Sequence, residues 1–168
     1  MRNEKGFTLS EMMVVVLVLA GLAAIAYPSY TKSIMKARVA EALSLSEIVR
    51  EAQQRSLALN GAYFSGFTNA HVRGRTRLVK ANDLEVEDGK LIKDLYTVSI
   101  ANVNASGNVK AVKNGCIIVK YGPSQSTPIF TIRTHVEDSR IGCEEAQSGG
   151  GICGTIPSVE TGLLNCSN

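Results

Sequence analysis

The sequence predicts an α+β fold. One long N-terminal helix, membrane-like in its first half and amphipathic in its second, packs on an antiparallel β-meander and ends in a disulfide-stapled C-terminal loop region. Three observations predict this. No charge interrupts Met12 to Thr31, a run of 20 residues. From Leu95 the apolar period changes from helical spacing to two. The four cysteines (Cys116, Cys143, Cys153 and Cys166) all lie in the last third of the 168 residues.

The helix comes first in the chain. At about 1.5 Å of rise per residue the uncharged run gives about 30 Å of helix, one hydrocarbon thickness. Arg2 and Lys5 precede it. Basic residues stay on the cytoplasmic side, so the rest of the chain is expected across the membrane. Glu11 stands at the border of the run. An acid in a membrane helix costs roughly 2.5–3.5 kcal/mol at the centre and less near an end, so a partner must offset it.

Helical patterning continues beyond Thr31 to Asn60-Gly61, two residues that tolerate the left-handed conformation of a helix stop. Ile34, Ala37, Leu45, Ile48, Val49, Ala52 and Leu59 fall along one line and are predicted to seat on a core. Val39, Leu43 and Leu57 fall opposite, against the following loop or a neighbouring subunit. A helix from about Phe7 to about Leu59 would be about 80 Å long. A filament needs such a rod; a compact domain of this size does not. Pro28 lies inside it, where the missing N–H predicts a kink or a loosened segment, and Gly21 weakens the helix two turns earlier.

Gly61 to Asp94 reads as a long connection. Ala62 to Phe67 is aromatic and turn-rich, and Asp88-Gly89 reads as a turn. Arg73, Arg75, Arg77 and Lys80 form a basic stretch, either a solvated loop or a patch for DNA, an anionic polysaccharide or a neighbouring subunit. Glu85, Glu87 and Asp88 follow closely and weaken its field. Strands are predicted at Tyr96–Ile100, Cys116–Tyr121 and Ile129–Val136. Asn104 to Asn108 is a hairpin connection, and Val109 to Val112 extends the second strand. One face of this meander should bury against the second half of the helix. After Val136 regular patterning ends, and Gly149-Gly150-Gly151 reads as a loop tip. It lacks the Lys-Ser/Thr and the leading strand of a phosphate loop.

Composition narrows the function. Hydrophobic residues make up 45% of the chain, enough to bury a core beyond the anchor. Removing Arg2, Lys5 and Glu4 from 18 basic and 15 acidic residues leaves 16 against 14, which gives no argument for nucleic acid. Beyond an N-in anchor lies an oxidising compartment, where four cysteines read as two disulfides. No Cys-x-x-Cys occurs, His71 and His135 are far apart, and no nucleophile motif is present. No catalytic residue, metal site or cofactor is expected, and the chain reads as no enzyme.

Three readings compete for the first thirty residues. Basic start, apolar middle and Ala24-Ile25-Ala26 fit a secretory signal peptide. An ordinary membrane anchor is the second. The third is a short prepilin leader, and Gly6-Phe7-Thr8-Leu9-Ser10-Glu11 decides for it. This stretch resembles the type IV pilin family (class a), in which a dedicated peptidase cuts after the Gly and the new N-terminal Phe is methylated. Glu11 falls fifth after the cut, where the family carries its assembly glutamate. Pro28 and Tyr30 match the proline and tyrosine after the family's apolar run, and Ala37 to Leu43 resembles the stretch that continues its helix.

The resemblance implies a leader at residues 1–6, a membrane and filament-core helix half at 7–30 and a globular domain at 31–168. It implies cleavage between Gly6 and Phe7, N-methylated Phe7, and assembly through Glu11 and Pro28. It implies a structural subunit, the major pilin of a filament used for adhesion, twitching motility or DNA uptake; a minor pilin or a secretion pseudopilin is the alternative. Implied partners are other pilin subunits, the prepilin peptidase and the inner-membrane assembly platform, with DNA or a host surface less supported. The chain would sit in the bacterial inner membrane and then in an extracellular pilus. The tail resembles the family's disulfide-bounded region, which favours Cys143 with Cys166 and Cys116 with Cys153. The family usually closes one bridge there, and this chain has two extra cysteines.

Overall fold

The computed structural model describes residues 6–68, 85–101, 115–124, 126–138, 140–146, 151, 153–155 and 159–161. They divide into two compact units, Met1–Ala37 and Arg38–Asn168. Helix α1 runs Leu9–Asn60, close to the expected bounds.

The first unit contains the apolar part of α1. Val14 to Leu19, Leu22, Ile25 and Tyr27 are all more than half exposed. A Cβ added at Gly21 would meet nothing within 4 Å, so no packing inside the chain requires glycine there. The helix continues unbroken through Pro28. Thr31 Oγ1 donates to the Pro28 carbonyl (3.0 Å) and Ser33 Oγ to the Ser29 carbonyl (3.1 Å). Both are ordinary back-bonds of Ser and Thr inside a helix; the carbonyl that lacks an N–H because of Pro28 is that of Ala24, four residues earlier.

In the second unit α1 buries Val39, Ala42, Leu45, Ser46, Val49, Ala52, Gln53 and Ser56. This corrects the expected stripe. Val39, placed opposite the core, is only 2% exposed, whereas Leu59 is 69% exposed. Ile34 and Ala37 are exposed as well, and Ile48, Leu43 and Leu57 are half-buried. The cause is polar: Ser46, Gln53 and Ser56 hold core positions, and a count of apolar residues alone rotates the line away from them. Each is satisfied. Ser46 Oγ donates to the Leu43 carbonyl (2.8 Å) and lies 3.1 Å from Thr134 Oγ1. Gln53 Nε2 donates to the Phe64 carbonyl (2.7 Å) while its Oε1 accepts from the Phe64 N–H (3.0 Å). Ser56 Oγ donates to the Ala62 carbonyl (2.9 Å). Such pairing offsets the cost of burying polar groups. Gly61 ends the helix at φ 70°, its N–H donating to the Leu57 carbonyl (2.9 Å).

Among the described residues the sheet has seven strands in sequence order: β1 Glu85–Glu87, β2 Lys90–Lys93, β3 Tyr96–Ala101, β4 Cys116–Tyr121, β5 Phe130–His135, β6 Ile141–Glu145 and β7 Val159–Thr161. Neighbours pair antiparallel through β6, and β7 joins β6 in parallel. Strands β3, β4 and β5 match the expected meander. The long connection is corrected: it contains β1 and β2, joined at Asp88-Gly89, where both residues have positive φ (49° and 72°) as the tightest hairpin turns require. The end of patterning at Val136 is corrected too, by β6 and β7. The hairpin connection at 104–108, its extension at 109–112 and the Arg73 to Lys80 stretch lie outside the described residues.

Register puts one apolar row across the sheet: Leu91, Val98, Val119, Ile132 and Cys143 are consecutive Cα partners. All five are buried. Beside it runs a second row, Tyr96, Tyr121, Phe130 and Glu145. The Tyr121 and Phe130 rings stack 5.0 Å apart and Tyr96 tilts against Tyr121 at 4.9 Å. The Ser46–Thr134 contact shows which face meets α1, since Thr134 alternates with Ile132 and Phe130.

The cysteine pairing is corrected. Cys143 bonds to Cys153, ten residues on, with 5.6 Å between Cα atoms. That excludes both Cys143 with Cys166 and Cys116 with Cys153. Cys116 is also disulfide-bonded; Cys166 lies outside the described residues. The physical reason is local. The Glu145 carboxylate accepts from the Gly151 N–H (2.7 Å) and the Cys153 N–H (3.1 Å), which holds Cys153 beside β6. A ten-residue closure also costs less chain entropy than a longer one.

Candidate processing and assembly site

The predicted cleavage residues Gly6 and Phe7 precede the helix and are exposed, Phe7 at 80%. Nothing within 4 Å would meet a Cβ at Gly6. The bond between them is therefore open to a protease. Two residues on, Thr8 caps α1. Its Oγ1 accepts from the Glu11 N–H (3.3 Å) and donates to Glu11 Oε2 (2.8 Å), and its own N–H donates to the same oxygen (2.8 Å). The Thr8 carbonyl accepts from the Met12 N–H (3.3 Å). This is a capping box, in which side chain and backbone satisfy each other's open donors at a helix start. Thr8 is the site residue missed by sequence reasoning. The signal was there as Thr-x-x-Glu before an apolar run, and Glu11 was read only for its charge.

The carboxylate is half used. Both Thr8 bonds reach Oε2, and Oε1 has no partner among the described residues. Phe7, Ser10, Glu11, Val14 and Val15 line one open groove of about 440 Å³, so the acid shares its face with exposed apolar side chains. An 18-residue window of α1 is apolar enough to cross a membrane, and none of it is buried. Pro28 lies 17 positions beyond Glu11 in the same helix; the structure brings neither to the other.

A polar brace ties α1 to the sheet in the second unit. Lys93 Nζ donates to Glu41 Oε1 (2.8 Å). The Tyr96 hydroxyl lies within hydrogen-bond reach of Glu41 Oε2 (2.9 Å) and the Arg38 carbonyl (3.0 Å). Arg38 sits over the Tyr121 ring, 6.0 Å from its centre. The Lys93 hydrogen bond, partly opposed by burial, holds the Glu41 carboxyl below the usual carboxylate range. Burial, then the Glu41 hydrogen bond, pushes the Tyr96 hydroxyl well above its ordinary value.

Fold and site together give an exposed helix of membrane length with Glu11 bonded to Thr8 at its border, and an α+β unit in which a disulfide joins strand β6 to Cys153. Residues 1–27 match the family model described as the prokaryotic N-terminal methylation motif. The chain is 31% identical over 112 residues to a fimbrial protein of Neisseria meningitidis serogroup A, covering 66% of this chain and 63% of that one. It is 31% identical over 113 residues to the type IV major pilin protein PilE1 of Neisseria gonorrhoeae, covering 66% and 58%. A fimbrial protein of Moraxella nonliquefaciens is 47% identical over 47 residues, 28% of this chain and 30% of that one. The chain thus matches less than two thirds of the length of these relatives. The chain carries that motif at its N-terminus and, over about two thirds of its own length, is similar to type IV pilins.

Proposed function

We propose that this chain is the structural subunit, the major pilin, of an extracellular type IV filament. A prepilin peptidase cuts between Gly6 and Phe7, and Phe7 is N-methylated. The mature helix waits in the inner membrane and an assembly platform moves it into the filament. The observation that carries this reading is Glu11. It is an acid at the edge of an apolar surface that the chain does not bury, with one carboxylate oxygen held by Thr8 and the other unpartnered among the described residues.

Cleavage makes a positive amine at Phe7. A charge beside lipid is costly, and two opposite charges that pair offset much of that cost. Glu11 Oε1 can take the amine of an adjacent subunit while Oε2 keeps its Thr8 bonds, which would fix the axial stagger of neighbouring helices. Gly21, Ala20, Ala23, Ala24 and Ala26 then allow close approach of helices in the filament core. Around Gly21 to Pro28 the helix is the expected place for unwinding on assembly. The names of the relatives favour the major subunit over a minor pilin or pseudopilin. The test is Glu11→Val: it should insert and be cleaved but assemble poorly. Normal filaments from that variant would discard the charge-register mechanism. Copy number in sheared surface filaments separates major from minor roles.

A further inference from the structure

We propose that Glu145 is a positioning residue for disulfide closure: it selects Cys153 as the partner of Cys143. Three arrangements carry this. First, Cys143 and Glu145 are two apart on β6 and therefore share a face of the sheet. Second, both carboxylate oxygens are used on the segment that carries Cys153. Oε1 takes the Gly151 N–H at 2.7 Å and Oε2 takes the Cys153 N–H at 3.1 Å. Third, Cys143 itself is fixed, as a Cα partner of Ile132 in the buried row that crosses the sheet. One thiol is thus held by the sheet and the other is brought to it by a side chain two residues away.

Four cysteines allow three pairings of two bridges each. Selection needs a local bias, and hydrogen bonds from backbone N–H groups to an ionised carboxylate are among the stronger ones available. The neighbouring acid does not take part. Glu144 points to the other face, is 53% exposed and lies 3.4 Å from Arg133 Nη2.

The chemistry balances with a disulfide oxidant such as oxidised glutathione. One cysteine thiolate attacks the oxidant, whose S–S bond breaks and releases one thiol. The second thiolate attacks the mixed disulfide, forms the Cys143–Cys153 bond and releases the other thiol. The two cysteines are oxidised by two electrons, the oxidant is reduced by two, and the two thiol protons end on the released thiols. Glu145 acts on the second attack, by raising the local concentration of Cys153 at Cys143.

The experiment uses the full chain in detergent micelles, equilibrated in glutathione redox buffers, trapped by alkylation and mapped by mass spectrometry. Glu145→Ala should lower the effective concentration for Cys143–Cys153 about tenfold or more, the scale expected for lost hydrogen bonds to a charged group. Other pairings among the four cysteines should appear. Glu145→Gln keeps one acceptor oxygen and should fall between. Glu144→Ala should match the unaltered chain. If Glu145→Ala does not fold by circular dichroism, Glu145→Gln decides. An unchanged redox equilibrium and bridge map in the readable Glu145 variant would overturn the proposal. An equal loss in Glu144→Ala would overturn it too, because any acid on β6 would then serve.

Discussion

Thr8 and Glu11 hold each other across the first turn of α1. The Glu11 carboxylate takes the Thr8 N–H and hydroxyl on one oxygen, and the Thr8 hydroxyl oxygen takes the Glu11 N–H. The helix start and the candidate assembly charge are therefore one structural unit. Thr8→Ala removes the side-chain half of it and should cost about 1 kcal/mol of local helix stability. Hydrogen exchange at Leu9 to Met12 in micelles should rise roughly tenfold or less, while the sheet stays protected. Equal exchange in variant and parent would show that the cap contributes nothing.

The brace around Glu41 predicts a dependence on acid. Its folded-state carboxyl titrates below the ordinary value because Lys93 donates to it. The stabilisation is therefore present above the unfolded carboxylate pKa and lost as pH falls through the lower, folded one. Glu41→Gln should flatten the acid limb of a denaturation-midpoint profile. Tyr96 has the opposite sign: its hydroxyl is raised, so its contribution holds below the ordinary tyrosine pKa and fades above it. Tyr96→Phe should remove that alkaline loss, which midpoint profiles above pH 10 would read.

Gln53 closes the turn between α1 and the sheet by accepting from and donating to one residue, Phe64. Gln53→Ala removes two hydrogen bonds to the half-buried Phe64 backbone, at about 1–3 kcal/mol each. Gln53→Leu, of similar size, should be no better. Urea unfolding that moved by less than about 0.5 kcal/mol would place water, not Gln53, as the partner that matters.

Gly61 is in the left-handed region at φ 70° with open space around it. Gly61→Ala should therefore cost only conformational strain, roughly 1–2 kcal/mol. Gly61→Asn should recover part of it, because Asn enters that region more readily. Thermal melts of the three proteins rank them directly.

Much of this was legible in the sequence, for reasons tied to particular residues. Tyr96-Thr-Val-Ser-Ile100 alternates because one face is buried and the other is not. Asn60-Gly61 and Asp88-Gly89 announced a helix stop and a turn through backbone freedom. Ser46, Gln53 and Ser56 hid the true core face of α1, since polar residues satisfied by specific partners leave no hydrophobic pattern. Strand β6 reads Ile-Gly-Cys-Glu-Glu and β7 reads Val-Glu-Thr, too short and too polar to stand out. Their pairing depends on β5 and on the contacts by which Glu145 and the disulfide hold Gly151 and Cys153. The bridge itself was misread because the contact that selects it is a side chain on backbone amides, which spacing cannot show.

Cleavage at one peptide bond is the step on which the filament account depends. Mature polypeptide from sheared surface material should be read from its first residue by mass spectrometry. The account predicts Phe7, carrying a methyl group on its amine. A chain beginning at Tyr27, or still at Met1, would contradict it, because neither leaves a free amine beside Glu11.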